Sequence, residues 1–187
     1  MGRRSAEGEH RIAGPGRRQS FDFEGQVMPL FLSTFTNKVD RKGRVSVPAS
    51  YRAALSGQEW AGVVLYRSPL LPAIVGCDLE YMLRHSEAVD EFQALEDPRQ
   101  ALSATILADS RQLAFDPEGR ILLPADLLAH ANITDRASFV GRGKTFQIWE
   151  PAALEDHTAK TLGMVRENLK GGMQTANAAA PGPGGTP

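Results

Sequence analysis

An internal repeat constrains the fold of this chain more than any other feature. The stretch NKVDRKGRVSVPA at residues 37–49 and the stretch AFDPEGRILLPA at 114–125 align at an offset of 76 residues. The alignment superposes an aspartate, a glycine, an arginine and a proline of each stretch. A sequence repeat of this kind indicates that each copy is one structural unit. We therefore expect two units with the same order of secondary structure.

The repeated motif predicts a tight β-hairpin in each unit. Its aspartate can accept backbone hydrogen bonds at the turn, and its glycine can adopt the left-handed conformation without steric cost. The turn residues are Asp40 and Gly43 in the first unit and Asp116 and Gly119 in the second. A short β-forming run that ends in proline follows, then a short helix and two apolar runs. The predicted order is β-β-α-β-β in each unit.

The repeat divides the chain into six predicted segments. They are a disordered N-terminal extension at 1–27, a first repeat at 30–77, a helical linker at 78–109, a second repeat at 110–151, a C-terminal helix at 152–170 and a disordered tail at 171–187. Both ends are assigned as disordered because they contain too little apolar material to offset the entropy of ordering. Met28 stands at the start of the ordered part, and we expect translation to begin there.

Composition limits the classes of function. The formal net charge is −1, so a nucleic-acid-binding surface must be a local basic patch. A single cysteine, Cys77, excludes an internal disulfide framework and fits a reducing cytosol. No apolar run has the length of a membrane-spanning helix. These features predict a soluble, cytoplasmic protein.

The two hairpins differ in charge by six units. Residues 36–52 carry a balance of +4, whereas residues 112–128 carry −2. A basic hairpin can contact phosphates while its turn enters a groove, so we expect the first hairpin to face double-stranded DNA. The basic residues of the first window are Lys38, Arg41, Lys42, Arg44 and Arg52. Lys38, Lys42 and Arg41 are predicted to contact the DNA backbone. The alternative is that these charged side chains are only solvated at the tip of the hairpin.

The motif arginines are the central candidates for DNA contact. The planar fork of Arg44 can bind two acceptors at once, which suits a base edge or a phosphate. The alternative is that Arg44 only pairs with Asp40 and stiffens the turn. Arg120 is also a candidate, although pairing with Asp116 is the favoured interpretation there. Arg52 is interpreted either as a phosphate clamp or as an ordinary exposed residue.

Three stretches resemble one known family. TNKVDRKGRVSVPASYRAAL, FDPEGRILLPADLLAHANI and FVGRGKTFQIWEP are similar to the MraZ family of bacterial transcriptional regulators, over residues 30–165. The repeated unit also resembles the AbrB/SpoVT DNA-binding module. The resemblance implies an α+β fold, with the two repeats forming a swapped-hairpin (double-split) β-barrel. It also implies a closed homo-oligomeric ring, associated with the nucleoid, that binds direct repeats upstream of its own operon in the division and cell-wall gene cluster.

Other interpretations of the sequence are weaker. VGRGKT at 140–145 ends like a phosphate-binding loop, but a serine occupies the first glycine position and a β-rich run follows. The histidines and Cys77 lack metal-ligand spacing, so no metal or cofactor is predicted. No catalytic arrangement stands out, and no enzyme activity is predicted. The main alternative is an antitoxin-like protein-interaction module with the same hairpin fold.

Overall fold

The computed structural model describes residues 30–90 and 98–178 of the chain. The first half contains β1 (Thr34–Lys38), β2 (Arg44–Ser46), α1 (Ala49–Ala54), β3 (Gly62–Arg67), β4 (Ile74–Cys77) and α2 (Leu79–Asp90). The second half contains α3 (Pro98–Asp109), β5 (Arg111–Ala114), β6 (Arg120–Leu122), α4 (Ala125–His130), β7 (Arg136–Gly141), β8 (Phe146–Trp149) and α5 (Pro151–Ala178). Each repeat therefore has the order β-β-α-β-β, and the fold is α+β, as predicted.

Each repeat pairs its first hairpin with strands of the other repeat. Strand β1 pairs with β7, and β5 pairs with β3, both antiparallel. The result is one six-stranded sheet in the order β1-β7-β8-β4-β3-β5. Strands β2 and β6 leave this sheet and pair with each other as a two-stranded antiparallel ribbon. Neither repeat could complete its sheet alone.

The six-stranded sheet has two edges in the described part of the chain. Strands β1 and β5 occupy those edges, so the hydrogen-bonded ladder does not close on itself. The sheet stays open because the backbone groups of β2 and β6 form hydrogen bonds with each other. Closure into a swapped-hairpin β-barrel therefore stays a prediction.

The main core lies between the sheet and the short helices α1 and α4. Its centre is Tyr51, whose ring lies 5.2 Å from that of Phe31 and 5.1 Å from that of Phe146, centroid to centroid. The Tyr51 hydroxyl donates a hydrogen bond of 2.8 Å to the carbonyl oxygen of Ser33. Because Tyr51 belongs to the first repeat and Phe146 to the second, this cluster holds the two repeats together.

Helices α2 and α3 cover a second, smaller cluster. Its buried residues include Val64, Tyr66 and Met82. Helix α3 is also tied to the sheet, because Asp109 accepts hydrogen bonds from the backbone N–H of Arg67 (2.8 Å) and from its guanidinium. The predicted linker is thus two helices packed on the outer side of β3.

The C-terminal helix is longer than predicted. Helix α5 continues to Ala178, beyond the predicted end at residue 170. Alanine, methionine and glutamine in this stretch favour a helix, although glycines precede them. The predicted N-terminal extension at 1–27, the proposed start at Met28 and the last part of the tail, 179–187, lie outside the described residues. Among the described helices, none is both long and apolar enough to cross a bilayer.

Candidate nucleic-acid interface

The turn of the first hairpin is organised by one carboxylate. Asp40 accepts hydrogen bonds from the backbone N–H groups of Lys42 and Arg44, each 2.9 Å long. Its second oxygen accepts a bond of 2.7 Å from Arg44 Nε. Gly43 closes the turn through its N–H, which donates to the Asp40 carbonyl, and it has a φ of +83°. Asp40 thus fixes both the turn and the direction of the Arg44 side chain.

The second hairpin repeats this geometry. Asp116 accepts bonds from the backbone N–H groups of Glu118 (3.1 Å) and Arg120 (2.8 Å), and from Arg120 Nε (2.7 Å). Gly119 has a φ of +74° and donates to the Asp116 carbonyl. The aspartate, glycine and arginine that the two motifs share therefore give both turns the same geometry.

The two arginines differ at the outer end of the guanidinium. Arg120 Nη2 donates to the carboxylate of Glu118 at 2.8 Å. The position equivalent to Glu118 in the first hairpin is Lys42, which cannot accept a hydrogen bond. Within the described residues, Arg44 makes its only side-chain hydrogen bond through Nε. Its two terminal amino groups therefore remain available to an acceptor, even while Asp40 holds the side chain.

The ribbon brings the two motifs side by side. In its register, Arg44 lies opposite Leu122, and Ser46 lies opposite Arg120. The middle residues of both strands, Val45 and Ile121, are buried, so the flanking residues lie on the outer face. Both motif arginines therefore belong to one exposed surface.

Arg52 lies against the turn of the second hairpin. A Cβ atom added to Gly119 would be 2.4 Å from Arg52 Nη1, and Arg52 Nε donates to the carbonyl of Val47 at 3.2 Å. The equivalent residue of the second repeat, Leu128, lies in the same way over Gly43. Arg52 is half-buried in this position, and its predicted contact with DNA stays a prediction.

The remaining predicted cations of the first hairpin are exposed. They are Lys38, Arg41 and Lys42. Sequence reasoning missed one neighbour, Arg136, which is exposed and lies directly opposite Lys38 in the pairing of β1 with β7. Like charges at opposite positions of a ladder repel each other, and a bound phosphate would relieve that repulsion. Arg136 thus extends the basic surface with a residue of the second repeat.

Hydrogen bonding lowers the pKa of Asp40 to about 2, from an ordinary value of 3.8. The main cause is the backbone N–H of Arg44; partial desolvation opposes the shift, and the Arg44 side chain and the Lys42 N–H add to it. For Asp116, desolvation raises the pKa, but hydrogen bonds from the backbone and side chain of Arg120 outweigh it, so the net shift is downward. Both carboxylates are ionised at neutral pH.

We expect an NMR titration of the Asp40 carboxyl group to give a pKa of about 2. In Arg44→Ala the pKa should rise but stay below 3.8, because the backbone N–H of residue 44 still donates. The ionised Asp40 carboxylate stabilises the folded state, because its pKa is lower in the folded than in the unfolded chain. This contribution to the free energy of unfolding is complete above the unfolded pKa and is lost as the pH falls from about 4 towards about 2. An unchanged Asp40 pKa in Arg44→Ala would contradict the observed pairing.

The other motifs of the sequence do not form a site. The GRGKT stretch is the connection between β7 and β8, where Gly143 pairs with Phe31 at the end of β1 that lies away from the first hairpin turn. Within residues 30–90 and 98–178, no group of three or more histidine, cysteine or acidic side chains could hold a metal ion. Cys77 is buried, and desolvation raises the pKa of its thiol to about 12.

Comparison with known proteins gives consistent matches. A family model described as "MraZ protein, putative antitoxin-like" matches residues 106–171. A protein of Pelagibacter ubique named "Transcriptional regulator MraZ" is 44% identical over 144 residues, which is 75% of this chain and 93% of the relative. A protein of the same name from Rhodospirillum rubrum is 46% identical over 131 residues, 69% of this chain and 84% of the relative. A protein of the same name from Rickettsia bellii is 38% identical over 141 residues, which is 75% of this chain and 94% of the relative.

Proposed function

The chain belongs to the MraZ family, and on that premise we propose that it regulates transcription by binding double-stranded DNA through its first hairpin. The names of its relatives support a role in transcription and not an enzymatic one. The contacts proposed for this hairpin are Lys38, Arg41, Lys42 and Arg44, with Asp40 as the residue that orients Arg44, and the contacts of Arg52 and Arg120 with DNA stay predictions.

One observation carries this proposal, namely the difference between Arg44 and Arg120. Both arginines are held by an aspartate through Nε, at 2.7 Å in each hairpin. Among the contacts of residues 30–90 and 98–178, only Arg120 has its Nη2 occupied, by Glu118. A guanidinium that is oriented through Nε and open at both terminal nitrogens suits bidentate contact with guanine O6 and N7, or with a phosphate. The ion pair of Arg44 with Asp40 therefore prepares a DNA contact and does not compete with it.

We further propose that the bound sites are direct repeats upstream of the chain's own operon, in the division and cell-wall gene cluster. Several copies of the chain, arranged as a closed ring at the nucleoid, would present several hairpins to such repeats. Linked weak contacts raise the overall affinity when the spacing of the hairpins matches that of the DNA sites. Exposed apolar side chains on one side of α5, Leu162, Val165 and Leu169, support self-association. In this proposal the swapped hairpins of each subunit form a β-barrel.

A second candidate function is a protein-interaction module of the antitoxin type. The observation that favours it is the same apolar side of α5, which the described residues do not cover. The description of the matching family model also includes the term antitoxin-like. In that case α5 would hold a partner protein, and substitutions in the first hairpin would leave partner binding unchanged.

The proposal predicts a steep salt dependence of DNA binding. We expect footprinting of the region upstream of the chain's own gene to show protected repeats. Log affinity should fall with log salt at a slope of about −0.9 for each phosphate neutralised, and Arg41→Ala should reduce that slope by about 0.9. Lys144→Ala is the matched control, because this exposed cation lies in the β7–β8 connection and should leave the slope unchanged. Equal slopes in all three proteins, or no effect of the spacing between repeats, would contradict the proposal.

A further inference from the structure

Leu122 is an exposed apolar side chain on the ribbon. It is 57% exposed, whereas its neighbours Ile121 and Leu123 are 1% and 2% exposed. Alternate residues of a strand face opposite sides, so Leu122 lies on the outer face together with Arg44 and Arg120. Burial of an apolar side chain is favourable, and folding leaves most of Leu122 in water. A ligand that covered this face would recover that free energy.

The side chain of Leu122 belongs spatially to the first hairpin. Leu122 lies directly opposite Arg44 in the ribbon register, and opposite residues of an antiparallel pair have Cα atoms about 5 Å apart. A Cβ atom added to Gly43 would lie 3.8 Å from Leu122 Cδ1, so Leu122 also reaches the turn that holds Arg44. The open guanidinium of one repeat and the apolar side chain of the other thus form one continuous surface.

We infer that Leu122 contacts the 5-methyl group of a thymine in the major groove, in the base pair read by Arg44 or in the pair beside it. This inference rests on the proposed function, because it takes the first hairpin to be the DNA-facing one. The major groove admits a two-stranded β-ribbon, and the thymine methyl is the apolar feature that distinguishes a base pair there. Successive base pairs are about 3.4 Å apart, so opposite ribbon residues fall on the same pair or on adjacent pairs.

The charges around Leu122 favour DNA over an apolar protein partner. The turn beside it carries Arg41 and Lys42, which are both exposed. The other end of the ribbon lacks this combination. There Ser46, the residue equivalent to Leu122, lies opposite Arg120, whose Nη2 is already bound to Glu118. Only the end with Leu122 therefore joins an open arginine to an apolar contact.

Deoxyuridine substitution tests the inference. The probe is a duplex selected by the full-length chain from a random-sequence library, in which each thymine is replaced singly by deoxyuridine. Deoxyuridine keeps the base-pairing edge of thymine and lacks only the 5-methyl group. We expect one or two replacements to weaken binding of the unsubstituted protein about fourfold, the factor expected for burial of one methyl-sized group. Leu122→Ala should bind the thymine duplex more weakly, and those replacements should then have no further effect.

Ser46→Ala is the matched variant and should retain the full sensitivity to deoxyuridine. Leu122→Met keeps an apolar side chain and should retain most of the sensitivity to deoxyuridine. If no replacement weakens binding, or if Leu122→Ala keeps the same sensitivity, the inference is wrong although the proposed function stands. If the chain selects no duplex, or if Arg44→Ala binds as well as the unsubstituted protein, the proposed function fails and the inference fails with it.

Discussion

Lys42→Glu should reduce the affinity for the DNA site by about 100-fold or more, a larger loss than the removal of one cation explains. The substitution gives the first hairpin the sequence arrangement of the second, in which Glu118 binds Arg120 Nη2 at 2.8 Å. The new carboxylate would occupy the corresponding end of Arg44 and would also repel phosphate. Loss of one bidentate arginine contact costs about 1–3 kcal/mol, and loss of the phosphate contact adds to it. Fluorescence anisotropy with the footprinted site measures the change.

Lys42→Gln is the control that separates the two effects. It removes the same positive charge but introduces no carboxylate, so Arg44 stays open, and the loss should be several-fold only. The reverse change, Glu118→Lys, should free Arg120 Nη2 and increase the affinity for DNA of any sequence. Equal affinities of Lys42→Glu and Lys42→Gln would mean that the terminal nitrogens of Arg44 make no contact with DNA.

The local geometry of the hairpins was readable from the sequence. The Asp-x-x-Gly-Arg motif predicted the turn and the positive φ at Gly43, and pairing of Asp40 with Arg44 was the alternative considered for that arginine; all of these depend on residues four positions apart or fewer. The order of strands and helices followed from the repeat, and the α+β fold followed from the resemblance to the family. Such features are determined by short-range hydrogen bonding and by the pattern of apolar residues.

Features that depend on pairing between the repeats were not readable. Arg136 lies beside Lys38 only because β1 pairs with β7, and Arg52 lies against Gly119 only because β2 pairs with β6. A count of charges along the chain cannot detect either contact. The count also included Glu118 as one negative charge among several, whereas its importance lies in the hydrogen bond to Arg120. That bond is local, because it joins residues two positions apart, whereas the neighbours of Lys38 and Gly119 come from distant segments and are decided by the register of the ladders.

Tyr51→Ala should lower the free energy of unfolding by about 3–5 kcal/mol, the cost of deleting a large buried aromatic side chain. Tyr51 is fully buried, and its ring contacts aromatic rings of both repeats. The deletion would leave a cavity where the two repeats meet, and the loss of the hydroxyl would remove the bond to Ser33. Urea unfolding followed by circular dichroism should show a lower midpoint and an unchanged slope.

Two variants divide this effect into its parts. Tyr51→Phe keeps the ring and removes only the hydrogen bond to Ser33, so it should cost about 0.5–1.5 kcal/mol. Leu127→Ala changes the equivalent residue of the second repeat, which is also fully buried but is not aromatic, and should cost about 2–5 kcal/mol. If Tyr51→Ala cost no more than Tyr51→Phe, the ring could not be what holds the repeats together. A large loss in Tyr51→Ala with a small one in Tyr51→Phe would instead assign the stability to aromatic packing across the two repeats, on which the position of both hairpins depends.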